Sequence, residues 1–143
     1  MNQRRNRFQI SRQPIVADRV RRIEGGFAFI EHRFLHQGFF ARLSQEELVL
    51  YLVLVIAADR RGISFYGEDA LCSLGQLSRD SYLLVRNALI AKDLIAYDGR
   101  RFQVLSLPHR PVMEQTQPLT EAADFEAHDP TTIRKLIRGS LGL

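Results

Sequence analysis

Eleven consecutive apolar residues, LVLYLVLVIAA at positions 48–58, constrain this chain more than any other stretch. Most helices on a small domain carry an apolar stripe with charges opposite, so a helix apolar all round has to be covered on every side. The run is well short of the ~20 residues of a bilayer span, and charges close it: Glu46 and Glu47 before, Asp59, Arg60 and Arg61 after. A membrane segment is therefore not expected. Its β-branched content would also suit a buried strand, and periodicity alone does not separate the two. The ends do. Ser44 and Glu47 have capping-box spacing. Arg60 and Arg61 would sit where the helix dipole favours cations, and Gly62 can adopt the left-handed closing conformation. The reading is a helix over residues 45–61 in which Leu52→Asp or Ile56→Asp would bury an unpaired charge and unfold the chain.

A chain of 143 residues is large enough to bury a core without metal or disulfide staples, and one domain with tails is the simplest organisation. Its single cysteine, Cys72, forms no internal disulfide. The basic start MNQRRNRFQI lacks the apolar core of a signal peptide, so a reducing cytoplasm is the expected setting. The net charge of +4 is unevenly placed: residues 1–22 carry seven arginines against Asp18, residues 23–107 nine basic against ten acidic groups, and residues 108–143 four against five. Arg4, Arg5 and Arg7 therefore belong to a basic arm, and arginine pairs bidentately with phosphate as well as with carboxylate. Nucleic acid is the first partner this suggests. A solvated tail or an acidic protein is the other.

Residues 1–22 lack helical periodicity and contain Pro14, which reads as an arm that orders on binding. After Gly25 and Gly26, an extended piece through Phe27 and Phe29 leads to a brief helix near residues 32–37, ended by Gly38. Phe34, Leu35, Phe39, Phe40 and Leu43 are then at hand to cover one side of the long helix. Beyond Gly62, ISFY is a short β-type run, and EDALCSLG, with Ala70, Leu71 and Leu74 on one face, is a short helix broken by Gly75. Ser78 caps a further helix over residues 78–92, with Tyr82, Val85, Arg86 and Leu89 on one face. Helix, short glycine-containing turn and helix make a helix-turn-helix. Asp98 and Gly99 form a two-residue hairpin signal, after which Phe102, Val104 and Ser106 share a face, giving a wing. Residues 108–129, with three prolines and no apolar period, read as a linker or surface arm. Asp129 and Pro130 start a helix over residues 130–143 whose Ile133, Leu136 and Ile137 stripe needs a docking surface, in this subunit or a neighbour's.

The run from the long helix through ISFYG, EDALCSLG, SRDSYLLVRNALIAKDLI and AYDGRRFQVL resembles a bacterial winged helix-turn-helix domain. It is similar to the modules of phage- and plasmid-type replication initiators and small regulators, whose LGxSRxTVxRALxxLxxxGLI block stands here as LGQLSRDSYLLVRNALIAKDLI. The resemblance covers residues 27–107 and implies an α+β, mostly α fold within a winged-helix domain over residues 23–107. It also implies duplex DNA as partner, with Arg79, Asp80, Leu83, Leu84 and Asn87 turned toward a major groove. Arg100 and Arg101 beside the wing turn could then grip phosphate or enter a minor groove, the alternative being an ordinary charged hairpin tip. Leu83 and Leu84 depart from the pattern, because apolar side chains offer bases only thymine-methyl contact. Ile90 also stands where such helices usually carry a charge.

That departure keeps a second function open. Leu84, Ile133, Leu136 and Ile137 could instead form a partner interface, making the chain an adaptor in a larger assembly. The excess apolar surface of the long helix points to a homodimer or a complex with another chain. No phosphate-cradling glycine loop, nucleophile elbow or paired carboxylates suggest an enzyme, and no cofactor or small-molecule substrate is expected. Glu31, His32 and His36 lack a third ligand position, so no metal is expected either. Cys72 reads as a small core residue, with a thiol nucleophile as the alternative, and Tyr66 and Tyr97 read as packing rather than base-stacking residues.

Overall fold

The computed structural model describes residues 10–113. They form an α+β, mostly helical arrangement: α1 (Arg33–His36), α2 (Gln45–Ala57), β1 (Ile63–Ser64), α3 (Glu68–Gly75), α4 (Arg79–Ala91), β2 (Ile95–Tyr97) and β3 (Phe102–Val104). Turns of 3-10 helix occur at Ala17–Arg19 and Phe40–Arg42. The strands make one antiparallel sheet in the order β1-β3-β2, with Ser64 opposite Phe102 and Tyr97 opposite Phe102 from the other side. This order of elements is compatible with a winged-helix topology. The Arg4, Arg5 and Arg7 end of the arm and the whole Ile133, Leu136 and Ile137 segment lie outside the described residues.

Two hydroxyl caps start the long helices. The Ser44 side chain accepts from the Glu47 N–H at 3.2 Å while Glu47 accepts from the Ser44 N–H at 3.4 Å, closing the expected capping box on α2. Ser78 accepts from the Ser81 N–H at 3.1 Å at the start of α4.

The far end of α2 corrects the reading of residues 45–61, because the helix stops at Ala57. One Asp59 carboxylate oxygen accepts from the N–H groups of Arg61 at 2.8 Å and Ile63 at 3.0 Å, offering the backbone a turn in place of another helical turn. Those two bonds hold the Asp59 carboxyl below the usual carboxylate range. Gly62 does take a left-handed conformation, at φ +83°, but it closes this turn rather than the helix. It also lies against β3, where a Cβ would come within 2.5 Å of the Val104 carbonyl oxygen. Glycine is thus required twice over at this position.

The core lies where α2, α3, α4 and the sheet meet, around Leu50, Leu54, Leu71, Tyr82, Leu89 and Phe102. Phe34 stacks on Tyr51 with centroids 5.1 Å apart, and Phe39 and Leu43 join it, so the segment before α2 does cover one side of that helix. Leu35 and Phe40 do not, being exposed. Nor is α2 buried all round. Val49, Leu52 and Ile56 are exposed, at 40%, 48% and 66%, so neither Leu52 nor Ile56 is the core position the sequence suggested. Ile90 departs in the other direction, since α4 buries it where an exposed position was expected.

Smaller corrections have local causes. Gly75 is the last residue of α3, and Gln76 after it takes the left-handed conformation. Gly75 instead admits Leu77, whose Cδ1 would lie 3.3 Å from a Cβ. Leu74 and Ser106 are exposed, and Tyr66 is 45% exposed and so not buried packing.

Candidate nucleic-acid interface

Helices α3 and α4, joined by the turn at Gln76 and Leu77, are followed directly by the β2–β3 hairpin. Side chains fasten the hairpin to α4. The Arg86 guanidinium lies over the Tyr82 ring at 5.5 Å and over the Tyr97 ring at 5.1 Å, and Tyr97 stacks on Phe102 at 4.2 Å. Tyr82 and Arg86 are one helical turn apart on α4, whereas Tyr97 ends β2. The arginine is buried, and contact with desolvated aromatic faces is worth about 2 kcal/mol or more. These contacts tie the β2–β3 hairpin to α4. The sequence places Arg86 on the core face of α4 but does not show this role, which depends on a tertiary contact with Tyr97.

Burial pushes the Tyr82 phenol up to about 12, with the Arg86 guanidinium pulling the other way. The unfolded chain ionises a tyrosine near its ordinary value of 10.0. The stability from keeping this phenol neutral is thus complete below pH 10 and lost as pH rises from there through about 12. Spectrophotometric titration should show Tyr82 ionising together with the loss of helical circular dichroism. In Tyr82→Phe the alkaline unfolding should move to higher pH.

The tip of the β2–β3 hairpin is built on Asp98. One of its carboxylate oxygens accepts from the backbone N–H groups of Arg100 and Arg101, at 2.9 and 2.6 Å, and the other accepts from Arg101 Nε at 3.0 Å. These bonds, the backbone ones first, hold the carboxyl far below the usual carboxylate range. The Asp98 N–H donates to the Arg101 carbonyl, so the tip centres on Gly99 and Arg100, one residue later than the expected Asp98–Gly99 pair. Arg100 and Arg101 are both exposed, with Arg101 held by Asp98.

The other expected groove residues are dispersed. Arg79 is exposed at the first position of α4 and pairs with Glu68 of α3 at 2.9 Å. The arginine end of the pair is exposed and the Glu68 end half-buried, and a pair of this kind contributes little to stability. Asp80 is exposed, and Leu84 beside it is 65% exposed. Asn87 is half-buried and accepts from Arg86 Nε at 3.4 Å. Leu83 leaves the expected set, since it is half-buried against the core. The outer face of α4 thus presents an acid, a leucine and an amide, with its exposed cation at one end.

Among the described residues, the exposed cations lie mainly outside the helix pair: Arg12, Arg19, Arg21, Arg22, Arg42 and Arg110, the Arg60–Arg61 turn, and the Arg100–Arg101 hairpin tip. The sequence suggests only a helix end at Arg60 and Arg61. An apolar cleft of about 580 Å³ lies between residues 25–31 and the body, walled by Phe27, Phe29, Tyr51, Val55 and Val104. His32 and His36 are exposed, and Glu31 is paired with Arg33 at 3.1 Å. No group of three His, Cys, Asp or Glu among the described residues could hold a metal ion, and no helix among them is long and apolar enough to cross a membrane. Cys72 is half-buried against the core, and burial raises its thiol, which disfavours the reactive thiolate. Comparisons with protein-family models, with curated proteins and with solved structures give no match to this chain.

Proposed function

We propose that this chain is a winged-helix protein that binds duplex DNA in the cytoplasm, as an accessory or regulatory factor with no catalytic step of its own. The carrying observation is the wing: exposed Arg100 and Arg101 stand on a hairpin tip shaped by Asp98, and Arg86 fastens that hairpin to α4 between Tyr82 and Tyr97. In this reading, affinity comes from phosphate contacts by the wing and by the arm arginines, including Arg4, Arg5 and Arg7. Base reading falls to Arg79 and Asn87, and Asp80 lowers affinity for any nearby phosphate. Phosphate contacts position a protein without carrying sequence information, so any discrimination between sequences rests on Arg79 and Asn87.

The test is binding to a random-sequence duplex across a salt series. Arg100→Ala/Arg101→Ala should weaken every duplex and reduce the salt slope by about 0.9 for each phosphate no longer neutralised. Deleting residues 1–12 should act in the same direction. Absence of duplex binding at low salt, or an unchanged slope in the double variant, would reject the reading.

One observation favours a second reading, an adaptor that docks protein on the α4 face: Leu84 is 65% exposed beside Asp80. Buried apolar anchors dominate protein interfaces. In that case Leu84→Ala would abolish partner capture, while Arg79→Ala/Asn87→Ala would leave DNA affinity unchanged.

A further inference from the structure

The exposed stripe of α2 has an order that a second copy of the chain can match. Val49, Leu52 and Ile56 recur every three or four residues and so form one continuous apolar face along the helix. At the amino-terminal end of the face stands exposed Glu46, and past the carboxy-terminal end stands exposed Arg60, which shares a surface hollow with Ile56. The stripe is apolar in the middle, acidic at one end and basic at the other, and close to symmetrical in spacing about Leu52.

We propose that this face is the two-fold interface of a homodimer, with α2 packed antiparallel against α2 of a second copy. An isologous contact needs a surface complementary to its own rotated image. Antiparallel packing supplies one: Leu52 lies at the axis, Val49 meets Ile56 of the second copy, and Glu46 faces Arg60 of the second copy at both ends. Parallel packing would set Glu46 against Glu46 and Arg60 against Arg60. The antiparallel arrangement also opposes the two helix dipoles. Gly75 of α3 borders the stripe, since a Cβ there would lie 3.6 Å from Val49 Cγ1. The dimer would join two wings in one particle, which the DNA-binding reading does not require and does not exclude.

Sedimentation velocity of the full chain over a concentration series tests this. The wild-type chain should be dimeric at micromolar concentration. Leu52→Asp should raise the dimer dissociation constant about 30-fold or more, the loss expected of a central interface anchor, with unchanged far-UV circular dichroism. Glu46→Arg and Arg60→Glu should each weaken association, and the two together should restore it. Because both residues are exposed, this pair tests the interface even if Leu52→Asp fails to fold. A monomeric wild-type chain, a Leu52→Asp variant that still dimerises, or charge reversals without mutual rescue would overturn the proposal. So would a monomer in which Leu52→Cys, on a Cys72→Ser background, resists a thiol reagent, since the face would then be covered by residues 114–143 of its own chain.

Discussion

Leu54→Asp should leave no folded protein, whereas Leu52→Asp, two positions earlier on the same helix, should fold. Leu54 is fully buried, between α2 and the core, while Leu52 is 48% exposed. A carboxylate forced into the first site either stays charged without a partner or takes up a proton, at a cost of several kcal/mol. It also displaces the packing of a leucine whose truncation alone, in Leu54→Ala, should cost about 2–5 kcal/mol. Native domains hold only about 5–15 kcal/mol in total. At Leu52 a carboxylate keeps its water, so far-UV circular dichroism should stay near that of the wild type and urea unfolding should stay cooperative, with the midpoint lowered only by the stability that dimerisation lends the wild type. A cooperative urea transition in Leu54→Asp, or an unfolded Leu52→Asp, would mean that the phase of α2 in the core is wrong.

That contrast marks where the sequence stops being informative. A run such as LVLYLVLVIAA contains no charged residue to give the helix a phase, so every rotation about its axis looks alike. Exposure of Val49, Leu52 and Ile56 is decided by neighbours, with Phe34, Phe39 and Leu43 on one side and α3, α4 and the sheet on others. Local chemistry is legible where it acts over a few residues. The Ser44–Glu47 box, the Ser78 cap, the left-handed Gly62 and the approximate hairpin at Asp98 are all readable from residue type and spacing. The misses are competitions between local options. Asp59 ends α2 before the expected Arg61 because its side chain satisfies a turn, and Asp98 shifts the hairpin tip by one residue in the same way. The exposed positions of Arg79, Arg100 and Arg101 follow from residue type and position, but the fastening of the hairpin to α4 does not. Arg86 looks like an ordinary amphipathic helix residue until β2 brings Tyr97 over it.

Lys92→Met should be the other strongly destabilising change, although Lys92 lies at the rim of the core, just past the end of α4. Its ammonium pairs with the Glu47 carboxylate in a largely buried contact and also donates to the Arg42 carbonyl at 2.9 Å. One side chain thus joins the end of α4 to the start of α2 and to the 3-10 turn before it. Forming such a pair yields little net stability, because both ions give up hydration. Removing one partner is different. The remaining carboxylate stays buried without its counter-charge, at a cost of about 3–5 kcal/mol. Glu47 cannot simply turn outward, because its oxygen also accepts from the Ser44 N–H in the cap of α2. Glu47→Leu/Lys92→Met removes both charges and should recover most of the loss, short of about 1 kcal/mol for the cap. Urea denaturation of the two single variants and the double variant measures the coupling. Additive losses, with the double variant less stable than either single one, would show that the pair is solvated and that Lys92 does not hold these elements together.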